Sequence, residues 1–288
     1  MFDDVQPLEA IRMIGRLSRE MDGDLRALGP HHARVAGVEV RKNLVDALRL
    51  MAEAFEAMRA ASGPYVKSQL RQLGLDSNRH GLKVQIGGGT HRIEGWVNID
   101  LHPAELALNV RWGLPFADGA VRCIYASHVL EHFFFRFEAL PLLQEMHRVL
   151  EPGGVARIVV PDIGGCMEAW ARHDDAFFEA RKKVWPWAEV CKTHLEHFLE
   201  YAGANAFDMG FEGHKYGYDF DTLAALLKEA GFVNVERSAY MSSVQPDLNL
   251  DHVSPFASAT SGGDHYSLFV DALKAAQPTE GEGRSPGR

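Results

Sequence analysis

Cysteine is scarce. The 288 residues hold three, Cys123, Cys166 and Cys191, with no CxxC spacing, and an odd, scattered set in a chain of this length argues against a disulfide framework and suits a reducing cytosol. Dense Lys or Arg runs are missing as well, and 30 basic residues against 39 acidic ones give a net charge of −9. Binding a nucleic acid or an anionic membrane rests on clustered cations that neutralise phosphates, so neither partner is expected. No apolar run reaches membrane-spanning length, and the opening Met-Phe-Asp-Asp has neither the basic start nor the apolar stretch of a signal peptide, so a soluble, cytoplasmic protein is expected. There is no GxGxxG motif, which disfavours NAD, and no internal repeat.

What is present is enough apolar residue, 46 %, for one large α/β core with an attachment. Residues 1–80 are nearly balanced in charge, with 12 basic and 11 acidic residues, so the acidity belongs to the rest of the chain. In that first segment Leu8, Ile11, Ile14, Leu17, Met21, Leu25 and Leu28 recur at the helical period, as do Val40, Leu44, Leu48, Met51, Phe55 and Met58. The second pattern is expected to stop at Ser62-Gly63-Pro64. Residues 1–80 therefore read as a helical region without strands, either a dimerisation or packing appendage or a lid, and long amphipathic helices suit a homodimer.

After Gly81 short β-rich runs alternate with helical ones, the pattern of a mostly parallel sheet flanked by helices. Strands are expected near 82–86, 96–99, 106–110, 121–126, 155–160, 233–239 and 265–271, with helices over Phe137–Leu150 and over Asp221–Ala230, the latter with an acidic cap and a stop at Gly231. The fold class is α/β: a core over 81–276 with an insertion, 163–218, rich in aromatic and His residues and read as a helical cap. From Gln277 to 288 the Pro, Thr, Gly, Glu and Ser composition predicts a disordered tail.

Lys83-Val84-Gln85-Ile86-Gly87-Gly88-Gly89-Thr90 is a strand running into glycines, where the backbone can turn sharply and let a ligand approach. Thirteen residues beyond Gly87, Trp96-Val97-Asn98-Ile99-Asp100 ends a second strand in a carboxylate able to accept two ribose hydroxyls. Further on come Leu114-Pro115-Phe116, Ser127-His128-Val129-Leu130-Glu131-His132, His147-Arg148-Val149-Leu150-Glu151-Pro152-Gly153-Gly154 and Gly213-His214-Lys215-Tyr216. In this order the six pieces resemble the class I S-adenosylmethionine (SAM)-dependent methyltransferases, particularly the small-molecule type 11 group and its glycan-locus relatives, over about two thirds of the chain.

The resemblance implies a Rossmann-like seven-stranded methyltransferase sheet with SAM as cofactor and a small-molecule acceptor. It implies that Gly87 and Gly89 line the methionine and ribose part of SAM and that Asp100 holds the ribose hydroxyls. Asn109 sits where such enzymes often place an acid facing the adenine amino group, Leu114 and Phe116 border the ring, and His128 lies close to the sulfonium. Two positions depart from the pattern: Gln85 stands where an acid is common, so any indirect contact to the SAM amino group is neutral, and His91 replaces a third glycine.

His128-Val129-Leu130-Glu131-His132 also spells HxxEH, a zinc-hydrolase pattern. Its place in the resemblance favours the methyltransferase reading, so no metal is expected, and Glu131 and His132 read as a helix cap or a satisfied half-buried pair. His194 and His197 read as solvated helix residues. The insertion's rings, from Trp170 and Phe177 to Phe207, Phe211 and Tyr218, read mostly as core, with one or two free to face a sulfonium cation. His214 and Tyr216 lie in a glycine-flanked loop where the resemblance places substrate-side residues. The leading expectation is O- or N-methylation of a small metabolite or sugar, with His128 or His214 as base and Tyr216 as orienter. Two alternatives stay open: a cyclase that closes a ring from the aminobutyrate part of SAM and releases methylthioadenosine, and a non-catalytic SAM-binding scaffold.

Overall fold

The structure, a computed structural model, describes residues 37–75, 79–101, 103–203, 213–257 and 266–276. The helix read over Pro7–Leu28, the rings Phe207 and Phe211 and the tail from Gln277 lie outside them. The chain divides into two compact units, Met1–Ser68 with Asn205–Gly213, and Gln69–Ala204 with His214–Arg288.

Among its described residues the second unit holds seven strands: β1 (Leu82–Ile86), β2 (Val97–Asp100), β3 (Leu106–Ala107), β4 (Val121–Ser127), β5 (Leu150–Pro161), β6 (Val233–Ser238) and β7 (Ser267–Leu273). They form one sheet in the order β3-β2-β1-β4-β5-β7-β6, parallel from β3 to β5, with β7 antiparallel to both β5 and β6. This is the seven-stranded Rossmann-like sheet of the methyltransferase fold. From β1 the chain builds outward to β2 and β3 on one side and then returns to lay β4 and β5 on the other. Open parallel sheets bind ligands at such a reversal, outside the carboxyl ends of the strands.

The helices are α1 (Gly37–Gln72), α2 (Leu140–Val149), α3 (Ile163–Ala171), α4 (Asp175–Val184), α5 (His194–Ala202) and α6 (Phe220–Glu229). In α2, Leu142, Leu143, Met146 and Val149 fall on one face and are buried, a stripe that stabilises by about 1.5–3 kcal/mol per side chain. The insertion has its own small core of Ile163, Cys166, Ala169, Phe178 and Tyr201. On the sheet, Trp96, Tyr125, Val159 and Phe269 belong to one buried cluster.

Three boundaries that differ from the sequence reading have a local cause. Helix α1 does not stop at Ser62-Gly63-Pro64 but runs through Pro64 to Gln72; Ser62 Oγ donates to the Arg59 carbonyl at 2.7 Å, supplying a partner inside a turn that the proline disturbs. At its end Gln69 is buried, with its side-chain amide paired to Ala107 through both N–H and C=O, at 2.8 and 3.1 Å, like a strand neighbour for the short edge strand β3. β3 itself ends at Ala107, because Asn109 caps a 3₁₀ turn over Val110–Trp112 that bends the chain out of the sheet. Helix α6 is capped by Asp219, whose carboxylate accepts from Thr222 N at 2.8 Å, and not by Asp221.

Candidate functional site

The first loop of the sheet is built on glycine for two different reasons. Gly87 has φ +74°, and a Cβ there would lie 2.0 Å from Val129 Cγ2, so the turn after β4 is packed directly on the turn after β1. Gly89 has φ +55° and open space where its Cβ would stand. Both conformations are ones that L-residues adopt at a cost. The Gly89 amide donates to Asp100 Oδ2 and the Leu101 amide to Oδ1, each at 2.6 Å, so the carboxylate at the tip of β2 is held beside the open glycine with lone pairs to spare.

Under the loop Gln85 is buried, and a Cβ on Gly88 would meet its amide at 2.7 Å. Among the described residues Gln85 Oε1 has no hydrogen-bond partner. Asn109, expected near an adenine, spends its side chain on Arg111 N as the cap of the 3₁₀ turn. Leu114 and Phe116 are buried, and their carbonyls are held by Arg148, which also pairs with Glu145 and Asp118. His91 is exposed.

Beyond β4 the chain makes a tight turn in which His128 has φ +55°. Both of its ring nitrogens face protein: Nε2 lies 3.0 Å from Ser267 Oγ, which itself donates to the Phe256 carbonyl, and Nδ1 lies 3.2 Å from Glu131 Oε1. Glu131 is buried at 1 % exposure, with His132 Nε2 4.0 Å from the same oxygen. Its burial alone would raise the carboxyl pKa; the His128 ring beside it, with His132 and His214, outweighs that and holds it below the ordinary value.

The segment before α6 returns to this turn. Lys215 N and Tyr216 N both donate to the Glu131 carbonyl, at 2.6 and 3.2 Å, which brings His214 edge-on to His132 with ring centroids 5.1 Å apart. His214 Nδ1 lies 2.8 Å from the Tyr201 carbonyl, an acceptor only, so that nitrogen carries the proton and Nε2 keeps the lone pair. Tyr216 stacks on Phe135 at 4.3 Å and meets Tyr218 edge-on. Tyr218 is fully buried, and burial followed by the Glu131 charge pushes its hydroxyl pKa well above the usual range.

His128, His132 and His214 therefore converge on one buried carboxylate at the carboxyl edge of the sheet, next to the glycine turn. The sequence reading placed His128 and His214 near chemistry but took Glu131 and His132 as a cap or half-buried pair; Glu131 is instead the buried centre of the group. His197 is likewise not solvated. At 1 % exposure it accepts from Arg181 Nε at 2.8 Å, and its pKa is depressed to about 4 by burial and then by the Arg181 charge. His194 stacks on Phe178 at 4.0 Å. The residues missed outright are Arg181, buried against the Tyr201 ring, and Arg157, buried in β5. The second had a signal, a lone cation in the apolar run Val155–Pro161.

Comparisons with known proteins bear on this arrangement. Residues 96–158 match the family described as "Methyltransferase domain", a stretch that runs from β2 through the His128 turn into β5. No curated protein matches the chain. Among solved structures, it is similar to phosphoethanolamine N-methyltransferase 2 of Haemonchus contortus in complex with SAM, at 13 % identity over 74 % of this chain and 53 % of that one, TM-score 0.38. It thus spans about half the length of that protein. It is also similar to a SAM-dependent methyltransferase of Thermotoga maritima, a possible histamine N-methyltransferase, at 13 % identity, 73 % and 89 % coverage and TM-score 0.38, and to the [4+2]-cyclase SpnF at 11 %, 74 % and 81 %, TM-score 0.36. Among the described residues no helix is long and apolar enough to cross a membrane.

Proposed function

We propose that this chain is a class I SAM-dependent methyltransferase, a reading supported by the match of residues 96–158 and by the strand order of the sheet, and that it methylates an oxygen or nitrogen of a small acceptor. SAM is its cofactor, and the chemistry it supplies is a methyl group on a positively charged sulfur that is already a good leaving group. The observation that carries the reading is the cradle at neighbouring strand tips: the open side of Gly89, the Asp100 carboxylate tied to it at 2.6 Å, and Val129 packed on Gly87 so that the histidine cluster lies alongside.

In this reading Asp100 accepts the two ribose hydroxyls while its backbone bonds keep it in place. Leu114 and Phe116, fixed through their carbonyls by Arg148, border the adenine. Gln85, neutral and buried, supports the glycine loop from below. On the acceptor side, His214 presents the Nε2 lone pair and acts on the acceptor's oxygen or nitrogen, and Tyr216, braced by Phe135, orients the acceptor. His128 has both nitrogens committed to the fold and shapes the turn instead of taking a proton. Alignment of nucleophile and leaving group supplies most of the rate that a protein can add to such an in-line displacement.

Product analysis tests the proposal. S-adenosylhomocysteine formed only when an acceptor is added supports methyl transfer, whereas methylthioadenosine formed from SAM alone refutes it in favour of ring closure. His214→Ala is expected to lower turnover by about 10²-fold or more, within the range for a group acting on the reacting atoms, with SAM affinity within twofold. Unchanged turnover would remove His214 from the reaction. The lack of clustered cations supports a small molecule over a nucleic acid as the acceptor.

A further inference from the structure

We propose that Glu131, His132 and His214 form a binding site for one divalent transition-metal cation, best suited to Zn²⁺. Each of the three offers a ligand atom, and these atoms lie within 4.8 Å of one another. Two imidazoles and one carboxylate are a donor set that favours zinc and similar ions over Mg²⁺ or Ca²⁺, which prefer oxygen throughout.

Three observations beyond proximity point to a cation. Glu131 is at 1 % exposure; His128 Nδ1 stands 3.2 Å from Oε1, but among the described residues Oε2 has no hydrogen-bond partner. A buried carboxylate oxygen left unpaired is costly, and a cation offsets that cost. His214 is already oriented as a ligand: Nδ1 is committed to the Tyr201 carbonyl, the outer hydrogen bond that metal-bound histidines characteristically make, and Nε2 is left to coordinate. The backbone bonds of Lys215 and Tyr216 to the Glu131 carbonyl clamp the distant histidine onto the turn that carries the other two donors.

A tetrahedral centre with bonds of about 2.1 Å places its ligand atoms roughly 3.4 Å apart, so atoms within 4.8 Å of one another need close up by at most about 1.4 Å. The side chain of His132 is 28 % exposed and is not enclosed by the core. Three protein ligands leave a fourth position open, as in catalytic zinc sites. In the methyltransferase reading, on which this last step rests, the open position would take an acceptor hydroxyl and lower its pKa, so that its proton leaves to solvent and the oxygen attacks the methyl group, with His214 Nε2 then serving as a ligand in place of a base. Binding of the cation does not depend on that reading.

The test is calorimetry of the full chain, stripped with chelator, against ZnCl₂, with CoCl₂ as a spectroscopic probe. One saturable equivalent of Zn²⁺ is expected, with the intense visible bands of four-coordinate cobalt. His132→Gln, Glu131→Gln and His214→Ala should each weaken binding at least about tenfold, and the exposed His252→Ala should leave it unchanged. No saturable binding by the folded native chain, or binding that survives all three substitutions, overturns the proposal. His132→Gln, at a ligand that is only partly buried, keeps the test decisive if the other two variants misfold. SAM affinity measured on the same preparations separates the two claims: zinc without SAM refutes the cofactor reading and keeps the metal site, and SAM without zinc refutes the metal site alone.

Discussion

Replacing Arg157 by Met should destabilise the sheet more than any single change on its surface. The guanidinium is fully buried and uses all five of its N–H groups: Nε and one Nη on the two oxygens of Asp251 at 3.0 and 2.7 Å, others on Asp271 at 2.8 Å, Ser238 Oγ at 3.1 Å and the Ala239 carbonyl at 2.7 Å. Both aspartates are also fully buried; Asp251 accepts from Met241 N and Asp271 from Val244 N, which ties the segment after β6 to the sheet. Burial works against the Arg157 charge, yet the two carboxylates overcome it and raise its pKa. Removing one partner of a buried pair costs about 3–5 kcal/mol, and here two acids are stranded by one substitution, so the upper end is expected.

Against a total stability of about 5–15 kcal/mol this is a large fraction, and at about 2–4 °C per kcal/mol it lowers Tm by roughly 10–20 °C. Thermal unfolding followed by circular dichroism reads it directly. Arg157→Met combined with Asp251→Asn and Asp271→Asn should recover part of the loss, because the uncompensated charges go with the guanidinium. A single variant within about 1 kcal/mol of the native chain would show that the cluster is not a buried charge network, and the reasoning would fail.

Other substitutions probe the cofactor loop and the cap. Gly89→Ala should cost about 1–2 kcal/mol for its left-handed backbone and leave the fold intact, yet weaken SAM binding at least about tenfold by calorimetry; full affinity would take Gly89 out of the cofactor site. Gly87→Ala should be far more destabilising, since its Cβ would overlap Val129, and a variant as stable as Gly89→Ala would contradict that packing. His197, with a folded pKa near 4 against 6.5 unfolded, binds its proton more readily in the unfolded chain, so its contribution is present above about pH 6.5 and is lost as pH falls towards 4, on the order of 3 kcal/mol. His197→Gln should flatten that part of the stability-against-pH curve measured by urea unfolding, and an unchanged slope would refute the assignment. The three buried thiols, with burial pushing Cys123 up to about 12 and Cys166 to about 11, should resist a thiol reagent in the native chain and react on unfolding.

The comparison of sequence with structure separates along physical lines. Strands β1, β2 and β4 were legible within two residues, because buried strands of a parallel sheet read as short apolar runs and the turn glycines punctuate them, and so was β7, which is antiparallel but equally buried. Helix ends were less so. Ser62-Gly63-Pro64 has the chemistry of a stop, but a proline costs one hydrogen bond, and the rest of a 36-residue helix outlasts it. Asp219 and Asp221 are both competent caps, and which one serves depends on where the chain leaves the preceding loop.

Taken alone, the sequence determined the order of the pieces: a glycine turn, an acid thirteen residues later, a histidine turn, and the alternation that makes an α/β sheet. Those are local properties of backbone conformation and hydrophobic period, and they need no distant partner. Only the tertiary structure decided which of the histidines matter to one another. His214 lies more than eighty residues from Glu131 along the chain, and two backbone hydrogen bonds to the Glu131 carbonyl bring it there. Nor could sequence distinguish His197, buried against Arg181, from a solvated helix residue, or show that Arg157 neutralises acids 94 and 114 residues away. Burial and charge compensation are set by what the fold places around a side chain, and no spacing along the chain encodes them.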